Sequence, residues 1–273
     1  MANTSLISTV YSARLLEQFK TNLVFGNLIN SSWAGDAVNN KTVKINSVLI
    51  PSSSTYTPES DITIGTLMAA SQDLTIDQYE YFAVDVDTVI AGQSVVNNAL
   101  LTEVIDKGSF ILAKGVDSYI ANTMFSGVAP TNLIPSASIT ASSDAYDYVV
   151  KLGQKLDEAD VPEMGRFVVV SSAFKGLLQK DNRVTLATNA LVSGQVPMVN
   201  GMKVFWSNNL PKTGNYTNII AGVNEATAFA YGLKDLKVFE PEKRFSQAVK
   251  ALLVYGAKVV NPNGIAVFPC IVN

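Results

Sequence analysis

The stretch Asn97–Phe125 does most to limit what this chain can fold into. Leu101, Val104, Ile105, Ile111, Leu112, Val116, Tyr119, Ile120 and Met124 recur at intervals of three and four residues, the period of one helix face. A helix over this stretch is ~43 Å long at ~1.5 Å per residue, well beyond the ~11–12-residue average. Such a rod needs an apolar partner of similar length. The chain supplies one near its C-terminus. Ala248–Val260 reads as a strand with Val249, Ala251, Leu253, Tyr255, Ala257 and Val259 on one wholly apolar face. Lys250, Leu252, Val254 and Lys258 take the other face. At ~13 residues this strand is long against a mode of ~5–6, and its apolar face is expected to lie on the helix. Gly108 and Gly115 fall inside the helix, where each costs up to ~1 kcal/mol relative to Ala. They therefore mark a bend or a close helix–sheet approach.

The remaining segments predict an α+β chain. Ser12–Asn30 reads as a short helix and an apolar lead-out, with Leu15, Leu16, Phe19 and Leu23 at helical spacing. Val43, Ile45, Val48 and Ile50 suggest a strand, PSSSTYTPESD a loop, and Leu74–Val89 a return strand. In the return strand Phe82, Val84 and Val86 alternate with Asp85 and Asp87. An isolated two-stranded ribbon is marginal in water, so this hairpin is expected to be held by a neighbouring subunit. Thr131–Ser143 reads as a linker, and Asp144–Ala159 as a helix ended by Val161-Pro162. Arg166–Ser171 is a buried strand, and Ser172 caps a short helix. Asn200-Gly201 marks a two-residue hairpin turn within Val199–Trp206. Ile219–Ala221 is a short strand, Asn224 opens a helix (EATAFAYG), Leu236–Glu240 is a strand, and Ile265–Val272 closes the chain. Helices and strands do not alternate in a βαβ rhythm, which argues against a doubly wound sheet.

Composition removes several classes of function. The chain has no histidine, so the commonest general base and metal ligand is missing. There is no G-x-G-x-x-G and no P-loop. Asp85 and Asp87 form a D-x-D, but an EF-hand would continue with a ligand where Val89 stands and a glycine where Ile90 stands. No cofactor or metal is therefore expected. Net charge is −3 with four arginines, which argues against gripping phosphates, although such a protein can still enclose DNA. The single Cys270 excludes an intrachain disulfide and reads as a small apolar residue of the last strand. The N-terminus has no basic segment followed by an apolar core, and no run approaches the ~20 apolar residues of a membrane span.

One polar knuckle stands out. In FEPEKRFSQ, the charges Glu240, Glu242, Lys243 and Arg244 precede the long strand. They can be read as solvated turn charges, as a carboxylate pair of a hydrolase, or as an inter-subunit contact that fixes register more than it adds affinity.

The order of elements and several strings resemble the major capsid proteins of tailed bacteriophages, with the Hong Kong 97-type fold. SARLLEQFKTNLVFGNLIN (Ser12–Asn30) resembles the N-terminal arm of that family. TIDQYEYFAVDVDTVIAG (Thr75–Gly92) resembles the return strand of its extended loop, and ALLTEVIDKGSFILAKGVDSYIANTMF (Ala99–Phe125) its spine helix. VNGMKVFWSNNLP (Val199–Pro211) is similar to an axial-domain hairpin. FEPEKRFSQAVKALLVYGAKVVNPNGIAV (Phe239–Val267) resembles the peripheral strands in a subgroup close to podovirus coat proteins.

The resemblance implies an arm over 1–34 and an extended β-hairpin loop over 35–92. It implies a peripheral domain with the spine helix and long strands over 93–130 and 236–273, and a mainly axial domain over 131–235. It implies pentamers and hexamers in an icosahedral virion shell around double-stranded DNA, assembled in the host cytoplasm, with no membrane. Because the arm begins almost at Met1, a separate scaffolding protein is expected, together with a portal. The implied assembly contacts are Arg14, Glu17, Lys41, Lys44, Asp85, Asp87, Glu240, Glu242, Lys243 and Arg244. Some relatives cross-link a loop lysine to a neighbour's asparagine, which directs attention to Lys41 and Lys44 and to Asn261 and Asn263. The alternatives are an encapsulin-like nanocompartment and, from another class, a hydrolase using Glu240 and Glu242.

Overall fold

The computed structural model describes residues 2–33, 41–48, 69–87, 97–181, 183–184, 198–242 and 246–272. Two helices open the chain, α1 (Ala2–Asn22) and α2 (Phe25–Leu28). β1 (Thr42–Val48) and β2 (Ala69–Thr75) form an antiparallel ribbon. β3 (Gln78–Asp87) precedes the long helix α3 (Asn97–Ser126). β4 (Ala137–Ile139), α4 (Ser142–Glu158), β5 (Arg166–Val170), α5 (Ser172–Lys180), β6 (Met198–Val199) and β7 (Met202–Trp206) come next. β8 (Lys212–Thr213), β9 (Tyr216–Val223), β10 (Thr227–Phe239), β11 (Ser246–Val259) and β12 (Ile265–Val272) complete the chain. The architecture is mixed α+β, with a three-stranded sheet in the order β10–β11–β3. A seven-stranded sheet runs β4–β12–β9–β5–β7–β6, with β8 beside β9.

The long helix and the long strand meet as their patterns require. Val249, Ala251, Leu253 and Tyr255 are buried on the face of β11 that α3 covers. Tyr119 of α3 meets Tyr255 edge-on, with ring centroids 5.3 Å apart. The two helix glycines mark the close approach rather than a bend. A Cβ on Gly108 would lie 2.6 Å from the Phe82 ring, and one on Gly115 would lie 2.5 Å from the Glu80 carboxylate. β3 therefore presses two side chains onto bare helix backbone. On the same side α1 packs against α3 and β10, where Phe19 and Tyr231 have centroids 5.4 Å apart.

The opposite face of the sheet carries the root of the ribbon. Val43, Ile45, Leu74 and Ile76 pack on Ala228, Ala230 and Val254. The Lys258 ammonium donates to the Asp73 carbonyl at 3.0 Å. Gly256 makes room for this crossing, because a Cβ there would lie 2.2 Å from the Thr75 carbonyl oxygen. Leu74–Val89 is thus not one return strand. It breaks at Ile76-Asp77, and its second half pairs with β11 from Gln78↔Tyr255 to Asp87↔Ser246. The hairpin is expected to need support beyond its own two strands, with a neighbouring subunit as the candidate; its root finds that support on its own chain's sheet. The loop tip lies outside the described residues.

Two further readings change. Asn224 opens only one 3-10 turn, Asn224–Ala226, and the supposed helix is the start of β10. Ala228, Phe229, Ala230 and Tyr231 are all buried, because β10 is covered on both faces. A strand buried on both faces loses the apolar–polar alternation that identifies strands. The segment read as a linker, Thr131–Ser143, contributes β4, which pairs in parallel with β12. The arm helix also starts earlier than its pattern shows, and Ser171 rather than Ser172 caps α5, accepting from the Phe174 N–H at 3.3 Å. Asn200 (φ 48°) and Gly201 (φ 74°) take the left-handed pair that a two-residue turn requires.

The seven-stranded sheet is covered by α4 through Ala145, Val149, Leu152 and Leu156, and Tyr148 stacks on Phe268 with centroids 4.0 Å apart. Arg166 is buried at the start of β5. Its guanidinium reaches Asp157 at 2.5 Å and donates to the carbonyls of Pro162, at 3.0 Å, and Val161. This satisfies carbonyls just beyond the C-terminus of α4 that would otherwise be orphaned.

Candidate functional site

The described residues contain no group of three or more Cys, Asp or Glu side chains placed to hold a metal, and no helix among them is long and apolar enough to cross a membrane. Cys270 is buried, and burial pushes its thiol up to about 12. The thiolate is the reactive form, so the native protein is expected to leave Ellman's reagent unreacted near neutral pH and to react fully once denatured. Fast native reaction would contradict this burial.

Strand register gathers several of the charged candidates. Asp85 stands opposite Ala248, which stands opposite Phe239 in β10, and Asp87 stands opposite Ser246. Glu240 and Glu242 follow Phe239 and are exposed. Four acidic positions, far apart in sequence, therefore meet at one end of the three-stranded sheet. Two positions in from Phe239 and Ala248, Lys237 and Lys250 form a cross-strand pair, and Lys250 lies 5.0 Å from the Phe239 ring centroid. Lys243 and Arg244 lie outside the described residues. Three cavities among the described residues, of about 420, 480 and 390 Å³, are lined by residues of other regions, and Glu240 and Glu242 are themselves exposed.

The other candidates lie elsewhere. Lys41 and Lys44 are exposed on the ribbon, with Lys44 opposite Asp73. Asn261 accepts from the Asn263 N–H at 3.1 Å and so holds its own turn. Arg14 is engaged within the chain. Its guanidinium grips Asp106 of α3 through two bonds of 2.9 and 2.8 Å, and this bond holds the Asp106 carboxyl below its usual range. Glu17 is exposed, and its backbone carbonyl accepts from the Thr21 hydroxyl at 2.9 Å.

Sequence reasoning passed over Asp117. It is fully buried on α3, and its carboxylate accepts from the N–H groups of Val24 at 2.8 Å, Phe25 at 3.0 Å and Gly26 at 3.3 Å. It thereby caps α2 and ties the N-terminal segment to the long helix. Burial raises its carboxyl to about 6, against the pull of the three N–H groups. The signal was present: an acid one place from Val116 and three from Ile120, on the apolar stripe of a long helix.

Comparison with known proteins adds to this geometry. A family model described as phage capsid protein matches residues 69–268. No curated protein matches the chain. Among solved structures, a chain of Mycobacterium phage Che8 is 26% identical, with 90% of each chain covered and a TM-score of 0.73. The capsid of Cyanophage P-SCSP1u is 16% identical, covering 92% of this chain and 89% of its own, with a TM-score of 0.69. The holo-SrpI encapsulin complex from Synechococcus elongatus PCC 7942 is 13% identical, covering 90% and 86%, with a TM-score of 0.59. The last two are likenesses of fold.

Proposed function

The chain belongs to the phage capsid protein family, and from that membership we infer its working role. It is a major capsid protein of the Hong Kong 97-type fold, and copies of it self-assemble into the shell of a virion. The observation that carries this role is the extent of the family match, which runs from β2 through α3 and both sheets into β12. The 26% identity to the Che8 chain over nine-tenths of both chains supports it.

The finer reading follows from the same premise. Copies form pentamers and hexamers of an icosahedral shell around double-stranded DNA, assembled in the host cytoplasm with a separate scaffolding protein and a portal. A net charge of −3 suits a wall that encloses DNA without gripping it. Residues 1–34 act as the arm and 35–92 as the extended loop. Residues 93–130 with 236–273 act as the peripheral domain, and 131–235 mainly as the axial domain. The acidic rim of Asp85, Asp87, Glu240 and Glu242, with Lys243 and Arg244, and the lysines Lys41 and Lys44 serve as contacts between copies, as does Glu17. Arg14 contributes by fixing the arm to α3. The protein's role is structural rather than enzymatic.

Electron microscopy with light scattering on the purified chain, and on the chain co-expressed with its neighbouring genes, tests this role. Uniform closed shells or capsomer rings are expected, and a chain that stays monomeric under both conditions overturns it. Contents separate the two kinds of shell: DNA inside supports the virion, whereas a packaged enzyme supports the nanocompartment reading, whose fold the SrpI encapsulin shares.

A further inference from the structure

The sequence holds two Asn-Gly pairs, Asn200-Gly201 and Asn263-Gly264. Asparagine is a thermolabile residue, and glycine has no side chain to shield the backbone nitrogen that follows it. As sequence the two pairs are alike. The fold treats them differently.

Asn263-Gly264 is held from several sides. The Gly264 N–H donates to the Asn261 carbonyl at 3.1 Å, and the Asn263 N–H donates to the Asn261 side chain at 3.1 Å. The Asn263 carbonyl accepts from the buried Asn132 side chain at 2.8 Å. Gly264 is itself buried, and a Cβ there would lie 2.8 Å from the Ala226 Cβ. Asn200-Gly201 is the tip of the β6–β7 hairpin. Both residues are exposed, and nothing lies within 4 Å of a Cβ on Gly201. Neither the Gly201 N–H nor the Asn200 side chain has a hydrogen-bond partner among the described residues. The Asn200 amide nitrogen only rests on Gly153 of α4. β6 is two residues long and ends the seven-stranded sheet, and so short a pairing at an edge opens at little cost.

We propose that Asn200 is a site of spontaneous deamidation, and that the fold withholds the same reaction from Asn263. The only co-reactant is water. The Gly201 nitrogen gives its proton to hydroxide and attacks the Asn200 Cγ. A C–N bond forms, the Cγ–Nδ2 bond breaks, and Nδ2 leaves as ammonia after taking a proton from water. Water then opens the succinimide ring at either carbonyl, which converts the residue to aspartate or isoaspartate. Nothing is oxidised or reduced. Ring closure takes the Asn200 backbone out of its left-handed conformation (φ 48°), so the rate follows how readily the tip opens. Opening is cheap at this sheet edge and costly at Asn263, whose backbone is held by hydrogen bonds on both sides of the reacting pair. The isoaspartate product carries an extra main-chain carbon through a turn built for two left-handed residues, so the hairpin tip loosens as the chain ages. This goes beyond the shell role and does not depend on it.

Peptide mapping by mass spectrometry tests this. The purified chain is warmed at mildly alkaline pH in heavy-oxygen water, which separates amides lost during incubation from those lost during digestion. In the native chain Asn200 should convert at least about tenfold faster than Asn263. In urea, with the fold removed, the two rates should agree to within about threefold. A native chain in which Asn263 converts as fast as Asn200 overturns the proposal. So does an Asn200 that stays intact in the native chain while the unfolded chain converts. A tenfold preference that persists in urea overturns it as well, because the choice then lies in the neighbouring residues rather than in the fold.

Discussion

Gly256→Val should destabilise the chain by about 3 kcal/mol and sharply reduce its yield of closed shells. The residue lies where the root of the ribbon crosses β11, and its hydrogens face backbone rather than a side chain. A Cβ there would lie 2.2 Å from the Thr75 carbonyl oxygen and 3.1 Å from the Ile76 Cα. A carbonyl cannot rotate aside as a side-chain tip does. It moves only if the end of β2 moves, which lifts Leu74 and Ile76 off Ala228, Ala230 and Val254. Valine has a strand preference over glycine on a scale of ~1 kcal/mol, which offsets only part of the cost. Gly176→Ala is the control. Nothing lies within 4 Å of its added Cβ, and in a helix the change is favourable by up to ~1 kcal/mol. Urea unfolding gives the stability difference, and sedimentation of assembled particles gives the shell yield. A Gly256→Val chain with wild-type stability and yield would mean that the ribbon root is not fixed by this crossing.

What the sequence disclosed and what it hid share one physical cause. Elements with one buried face were legible. The helix pattern of Asn97–Phe125 and the apolar row Val249–Val259 each announced a partner, and the fold brings Tyr119 onto Tyr255. The start of β10 was not legible, because it is covered by α1 on one face and by the ribbon root on the other. Periodicity carries no information where every position is apolar. The ribbon was read as a hairpin in need of a neighbour because the small floor beneath it, Ala228, Ala230 and Gly256, lies more than a hundred residues away. The same holds for the acidic rim. Asp85 and Glu240 come to the same end of the sheet only because β11 pairs with both β3 and β10, a register that charge patterning does not encode. Asp117 is the converse case. Its position on an apolar stripe was visible, but its partners are backbone N–H groups, which no residue type reports.

Phe82→Ala should cost about 3–4 kcal/mol, since it empties the contact that sets the spacing between α3 and the three-stranded sheet. The Phe82 ring is nearly buried and rests on Gly108, where an added Cβ would lie 2.6 Å from the ring. Ring and glycine are therefore two halves of one fit, and substitutions there should not add. Gly108→Ala alone gains helix propensity of up to ~1 kcal/mol, but it drives a methyl into the ring, and overpacking of this kind costs ~1–3 kcal/mol. Phe82→Leu alone leaves a void over the glycine. Together the alanine methyl fills part of that void, so the double variant should be more stable than the two single costs predict, by about 1 kcal/mol. Urea denaturation of the four chains measures the coupling. Because both residues lie inside the subunit, shell yield should track this stability and recover in the double variant. Costs that add to within ~0.3–0.5 kcal/mol would mean that ring and glycine are not in contact, and that the spacing of the long helix over its sheet is set by other residues.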